Sequence, residues 1–213
     1  AGMSEESSAH AEQFLREMGV NILLNKRVVD YRDHKVVLED GTEIATRTFI
    51  WVSGVTGVTI GNLDASLIGR GGRIKVDSFN RVEGMNNVFA IGDQCIQLAD
   101  GNYPNGHPQL AQVAIQQGEL LAKNLVRMAK GREMKPFHYR NLGSMATVGR
   151  NRAVAEFSKV KMQGWFAWVM WLVVHLRSIL GVRNKVIVLL NWVWHYFTYD
   201  QSMSMIVYAS NAT

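Results

Sequence analysis

The chain has 213 residues, 47% hydrophobic and 19% charged, an ordinary composition for one or two globular domains and one that excludes a disordered chain. Its single cysteine, Cys95, excludes an internal disulfide, a CxxC redox pair and a thiolate metal cluster, and fits a reducing compartment. The net charge of +5 is unevenly placed: residues 150–213 hold Arg150, Arg152, Lys159, Lys161, Arg177, Arg183 and Lys185 against only Glu156 and Asp200. A basic end of this kind seeks an anionic partner, either nucleic acid or a lipid surface. Ala1–His10 is polar and acidic, unlike a signal peptide. With no initiator Met, the chain reads as an excised fragment that enters a fold partway through.

Ser4 is placed to cap a helix whose first turn holds Glu5 and Glu6, both favourable at the positive end of a helix dipole. Phe14, Leu15 and Met18 give that helix an apolar stripe, and Gly19 a stop. Val20–Leu24 reads as a buried strand. Val28–Tyr31, Lys35–Glu39 and Thr42–Ala45 read as a meander, with Asp40-Gly41 as a two-residue hairpin turn needing positive φ at both positions. Phe49–Val52 reads as a return strand ending at Ser53-Gly54, and residues 53–73 as a crossover loop. Arg73–Asp77 and Val88–Ile91 read as short strands, the second stopping at Gly92-Asp93. The loop Gln94–Gly106 then leads to a helix from about Pro108 to Lys130, where Leu110, Val113, Ala114, Leu121, Leu125 and Met128 follow the helical period and Pro108 suits the first turn. This order of elements suggests the distal part of a dinucleotide-binding domain. Beyond Gly131, Ser144–Gly149 and Ala153–Phe157 read as a hairpin. Two apolar stretches follow, Trp165–Leu180 and Val186–Tyr199, separated by Gly181-Val182-Arg183-Asn184.

The segment Val88–Asp93 carries readable chemistry. A Gly at the end of a buried strand lets backbone approach a ligand closely. The Asp after it stands where open α/β sheets bind ligands, and a carboxylate there suits sugar or ribitol hydroxyls. The following helix aims free N–H groups and its positive dipole end at whatever lies ahead, which suits the negative pyrimidine side of a reduced flavin. His107 is either a proton donor or, by preference, the cap of that helix. Cys95 reads as a small buried side chain.

Five of the six Trp fall near the C-terminus: Trp165, Trp168, Trp171, Trp192 and Trp194. Neither apolar stretch suits a transmembrane span, which needs roughly 20 apolar residues. The first is interrupted by His175 and Arg177, the second by Asn191 and His195. Trp prefers the lipid–water interface, and Arg183 and Lys185 at the bend would attract anionic headgroups, so the pair reads as an in-plane membrane anchor. The alternative is that both helices are core of a domain or a dimer interface. His175 and His195 have no Cys or Asp partner at metal spacing, so no metal is expected.

Val88–Asp93 (VFAIGD) resembles the second flavin motif of flavoproteins with two dinucleotide-binding domains, and His107–Gly118 (HPQLAQVAIQQG) is similar to the type II NADH:quinone oxidoreductases, in which Ala-Gln lies beside the isoalloxazine. Trp51–Val55 (WVSGV) resembles that family's segment past the nicotinamide, and Ser4–Phe14 the segment after its ribose-binding acidic residue. The resemblance implies an α/β fold: the distal part of a two-dinucleotide-binding-domain, Rossmann-like flavoprotein with a C-terminal hairpin and an amphipathic helix pair. Residues 1–72 would be the distal part of the NADH-binding domain, 73–130 the C-terminal segment of the FAD-binding domain, and 131–213 the membrane-anchoring, quinone-side domain. It implies FAD as cofactor, NADH as substrate and a membrane quinone as acceptor, without proton pumping. Gly92 and Asp93 would hold the FAD ribitol–phosphate region, Ala111 and Gln112 would meet the ring, Gln112 would act nearest the quinone, and Gly54 would lie on the nicotinamide side. Lys159 and Lys161 would bind headgroups or, in one case, reach the flavin pyrimidine oxygen. The implied location is peripheral, on the cytoplasmic face of the inner (plasma) membrane, with a homodimer through the C-terminal helices as a further role.

One departure is plain: neither GxGxxG phosphate loop is present, because Gly54, Gly57 and Gly61 lack the spacing and Gly69, Gly71 and Gly72 do not follow a strand. The chain alone is therefore expected to bind FAD weakly or not at all and to have no turnover. Competing readings are a sister flavoprotein such as a sulfide:quinone reductase, which would need a redox cysteine pair, and a non-catalytic module for membrane binding or dimerisation. Nucleic acid is disfavoured, because the basic residues interleave with membrane-type apolar runs.

Overall fold

The computed structural model describes residues 3–58, 60–158, 160–179 and 181–198. These fall into two units, one within Leu23–Leu142 and the other drawn from Gly2–Ile22 together with Gly143–Thr213.

The first unit opens with a three-stranded antiparallel sheet in the order β1 (Val28–Arg32), β2 (Lys35–Leu38), β3 (Glu43–Ala45). The two-residue turn with two positive φ values lies at Asp33-His34 (48° and 58°), between β1 and β2. Asp40-Gly41 instead belongs to a three-residue turn. Gly41 N–H donates to Leu38 O at 2.9 Å, Leu38 N–H donates to Thr42 O at 2.9 Å, and only Gly41 is left-handed (φ 82°). Asp40 pairs with Lys26 and accepts from Thr42 N–H at 3.0 Å, contacts that hold it in an ordinary conformation and its carboxyl far below the usual range.

β4 (Ile74–Val76) and β5 (Cys95–Gln97) are parallel, with Ile74 opposite Cys95. Ile74, Val76 and Cys95 form a core with Val82. The expected strand at Val88–Ile91 is only a single bridge between Phe89 and Arg81; Val88 and Ile91 are exposed, and the buried strand comes after Gly92-Asp93 rather than before it. Val20–Leu24 and Phe49–Val52 are not strands either, and most of their apolar side chains are exposed, Val52 by 83%. A buried parallel strand needs neighbours to take its backbone hydrogen bonds, and among the described residues none lies beside these segments.

α2 spans Ala111–Ala129 and buries Val113, Gln117 and Asn124. It starts later than Pro108, because Leu110 N–H donates back to Pro108 O at 3.0 Å and Leu110 is extended. The chain then returns along the helix without joining a sheet. Side-chain amides stitch it there. Asn124 donates to Lys135 O (2.8 Å) and accepts from Lys135 N–H (2.9 Å). Gln116 does the same with Arg140 (2.9 and 3.0 Å), and Gln112 Oε1 accepts from Leu142 N–H at 2.9 Å. An amide offers donor and acceptor side by side, as a strand edge does.

In the second unit α1 (Glu5–Glu17) begins as its sequence predicts: Ser4 Oγ accepts from Ser7 N–H, and Gly19 ends the helix with φ 81°. Ser4 also bonds the Glu156 carboxylate, which lowers that carboxyl's pKa. β6 (Ser144–Gly149) and β7 (Arg152–Phe157) form the expected hairpin, and a third antiparallel strand, β8 (Val160–Gln163), extends it. Ala153, Val154 and Ala155 in the central strand are fully buried. The two alanines let Ala167 of α3 (Gly164–Ser178) pack directly on the sheet. α4 (Val182–Thr198) starts earlier than its apolar run: Gly181 (φ 82°) directly precedes it, and Gly181 O accepts from Lys185 N–H. Arg183 and Lys185 therefore lie in the first turn of α4, not at a bend. Among the described residues no helix is long and apolar enough to cross a membrane. Lys159, Leu180 and Tyr199, parts of the sequence expectations, lie outside the described residues.

Candidate functional site

Gly92, Asp93 and Gln94 make one short helical turn into β5. Gly92 has φ 65°, and a Cβ there would stand 3.2 Å from Cβ of Ala114, so a side chain at this position would press on α2. Its N–H donates to Oε1 of Gln117 at 2.7 Å, and Gln117 is fully buried. Cys95 Sγ lies 3.5 Å from Gly92 O and within 3.8 Å of the Gln117 and Asn80 amides. Burial pushes the Cys95 thiol pKa up. It is a packed thiol, as its sequence position suggested.

Asp93 offers its backbone carbonyl to Gln109 Nε2 at 3.1 Å, while its carboxylate is exposed and, among the described residues, accepts no hydrogen bond and forms no ion pair. Ala111 is the first residue of α2. Leu110, which precedes it, provides no side-chain cap, and Ala111 N–H has no acceptor among the described residues. Contacts from Gln109 and Ala114 to the turn bracket Ala111 and Gln112, so four of the expected cofactor residues gather at one end of the parallel pair. Gly54 is left aside: it is exposed, and nothing lies within 4 Å of where its Cβ would be. Its downstream neighbour Val58 is the residue drawn in, gripped through both backbone groups by Gln94 (2.9 and 2.6 Å). Gly57 packs so tightly on Gly72 that a Cβ would strike the Gly72 carbonyl.

The expected cap at His107 is not formed. Its Nε2 lies 3.0 Å from Asp100 Oδ2, both side chains are buried, and its ring is enclosed by Tyr103, Phe137 and Tyr139 at 5.1, 5.3 and 5.8 Å. The hydrogen bond to His107 holds the Asp100 carboxyl below its usual range. Buried Arg73 donates to His107 O at 3.0 Å, and its desolvation lowers its pKa. The ring Nδ1 and the Tyr139 hydroxyl are buried without a hydrogen-bond partner among the described residues. Asp100, Arg73 and Gln117 were missed in the sequence, where an acid seven positions before a histidine carries no signal.

In the second unit Trp168, Trp171 and Trp192 turn inward. Trp171 and Trp192 are 6.3 Å apart, Trp168 lies 5.7 Å from Tyr196, and Trp171 stacks on His175 at 3.9 Å. Trp165 and Trp194 are exposed instead. Lys161 is held by Glu6 at 2.8 Å.

Residues 1–118 match the family described as pyridine nucleotide-disulphide oxidoreductase. The chain belongs to that family. Residues 141–198 match the NDH2 C-terminal domain. The chain is 36% identical to the type II NADH:quinone oxidoreductase NdhA of Mycobacterium tuberculosis, over 89% of this chain and 42% of that protein. It is 34% identical to the mitochondrial internal alternative NAD(P)H-ubiquinone oxidoreductase A1 of Arabidopsis thaliana, over 86% of this chain and 39% of that one. It thus spans about two fifths of the length of these relatives. Among solved structures, NDH2 from Plasmodium falciparum in complex with NADH shares the fold with a TM-score of 0.79 at 17% identity, over 92% of this chain and 55% of that one. The sulfide:quinone oxidoreductase of Aquifex aeolicus follows the same fold with a TM-score of 0.63 at 15% identity, over 92% and 50%. The α/β flavoprotein fold is therefore the one expected.

Proposed function

We propose that this chain forms the flavin-ring and lipid-facing part of a peripheral NADH:quinone oxidoreductase. Residues 1–72 would then be the distal part of the NADH-binding domain, 73–130 a segment of the FAD-binding domain and 131–213 the membrane side. The carrying observation is the pass of Gly92 over Ala114 beside an exposed Asp93 and the open start of α2. These residues fit a flavin: a carboxylate for ribitol hydroxyls, a backbone with no Cβ to displace, and an N–H at a helix start for an electron-rich ring edge. Gly92, Asp93, Ala111 and Gln112 would hold FAD, which would supply the hydride-accepting and electron-transferring chemistry between NADH and a quinone. The chain's own part is to bind and orient. Asp93 holds the sugar-like chain, Ala111 leaves room for a flat ring, and Gln112 has its amide oriented by Leu142 N–H at the acceptor side.

The exposed apolar side chains of α3 and α4, with Phe166 69% and Trp194 62% accessible, support attachment to a lipid surface, as does the placing of Arg183 and Lys185 at a helix N-terminus, where cations oppose the dipole unless an anion is near. The cytoplasmic face is the side proposed.

FAD titration of the purified chain is expected to show weak binding, with no NADH:quinone turnover. Stoichiometric flavin absorbance would overturn that expectation. In a complete oxidoreductase containing this chain, Gly92→Val is expected to strip flavin, and Gln112→Ala to lower quinone turnover while flavin content holds. Full flavin occupancy in the folded Gly92→Val protein would sink the assignment.

A further inference from the structure

We propose that Gln94 is a positioning residue for the flavin turn: by pairing with both backbone groups of Val58 it braces the turn against the lead-in to β4 and so fixes the direction of Asp93. The inference rests on the flavin reading above and adds to it a residue that acts through another. The turn needs such a brace. It is three residues long, and Gly92 at its start has φ 65°, in the residue type whose backbone is least restricted. Among the described residues the Asp93 carboxylate accepts no hydrogen bond, so the backbone on either side is what aims it.

That backbone is held at three points, each by a glutamine amide. Gly92 N–H donates to Gln117 Oε1 at 2.7 Å, and Asp93 O accepts from Gln109 Nε2 at 3.1 Å. These two ties run to α2 and the residues just before it. The third runs to a segment 36 positions upstream, where Gln94 Oε1 accepts from Val58 N–H at 2.9 Å and Gln94 Nε2 donates to Val58 O at 2.6 Å. Val58 is 74% exposed, so side-chain packing does not hold it in place. Its neighbour does: Gly57 N–H donates to Gly71 O at 2.8 Å, and a Cβ on Gly57 would strike Gly72 O. Gly72 and Arg73 lead straight into β4, whose first residue, Ile74, is buried opposite Cys95, the residue after Gln94. Gln94 thereby closes a ring of contacts through Val58, Gly57, the β4 lead-in and the parallel strand pair. A carboxylate mounted on a closed ring is aimed before its ligand arrives, and ligand binding then loses less freedom.

The test is FAD affinity in a complete oxidoreductase containing this chain, measured after flavin removal. Gln94→Ala is expected to weaken FAD binding about tenfold. Gln94→Met, which keeps the length without the amide, should match it. Asp93→Ala should weaken binding as well, and in that background Gln94→Ala should change the affinity less than about twofold, because no carboxylate is left to aim. An amide that only stabilised the fold would weaken binding in both backgrounds. Unchanged affinity in Gln94→Met, or its full loss repeated on top of Asp93→Ala, would overturn the brace and leave the flavin reading standing. Unchanged affinity in Asp93→Ala would strike the flavin reading and the brace with it.

Discussion

The Asp100–His107 pair shows how one buried contact fixes a loop that the sequence left open. Asp100 accepts from His107 and from Asn102 N–H at 3.0 Å, and His107 passes its carbonyl to Arg73, so the loop before α2 is tied at both ends. The Asp100 carboxyl is held low, mainly by His107, so its ionised form is the stabilising one. Its contribution is complete above the unfolded carboxyl value of about 3.9 and is lost as pH falls through the lower folded value. Asp100→Asn should destabilise the first unit by about 1–3 kcal/mol at neutral pH. It should also flatten the acid side of the stability curve, because the variant has no carboxylate to protonate. Thermal melts between about pH 5 and pH 2 check both. An unchanged acid slope would mean that the pair contributes nothing to the loop.

At the scale of the element, α2 does two jobs with two faces. Val113 packs inward, while Gln112, Gln116 and Asn124 lie four and eight positions apart and hold the returning chain. Asn124→Ala leaves Lys135 N–H and O without their partner, at an expected cost of about 1–3 kcal/mol. Hydrogen exchange should rise at residues 133–137 before it rises in the helix. The sequence announced this helix through its 3.6-residue period, and announced α1 through Ser4, Glu5 and Gly19. It announced the β6–β7 hairpin and the Gly92-Asp93 turn equally well. It misled at Val20–Leu24 and Phe49–Val52, because an apolar run states that a strand would be buried if it had neighbours and says nothing about whether they are present. It misled at Val88–Ile91 by one step: the apolar residues before Gly92 advertise a strand, yet the buried strand is Cys95–Gln97, whose Gln97 breaks the pattern. Contacts such as Gln94 with Val58, or Gln117 with Gly92, join residues far apart in the chain through amides that look like surface, and no local pattern reveals them.

For the whole molecule, charge and apolar surface are concentrated in the same place. The first 149 residues are close to neutral, while the C-terminal end carries the surplus and most of the Trp. Attachment to anionic vesicles should therefore fall as salt rises, since exposed charges are screened over about 8 Å at physiological ionic strength. Replacing exposed Trp165 and Trp194 by Ser should weaken flotation at every salt concentration. Salt-independent flotation, or flotation untouched by the double substitution, would count against a basic, Trp-anchored surface.

The uneven placing of Trp and Cys has a practical result. Five of the six indoles lie in the second unit, and Trp51 alone lies in the first, already more than half exposed. Intrinsic emission during unfolding is thus almost wholly a report on the second unit. Cys95, the single thiol, is buried in the core of the first, so its capture by an alkylating reagent reports opening there and nowhere else. The unmodified polypeptide carries two orthogonal probes, one for each unit. Whether both units lose structure together or in sequence can be read by comparing their two midpoints, without a label or a mutation.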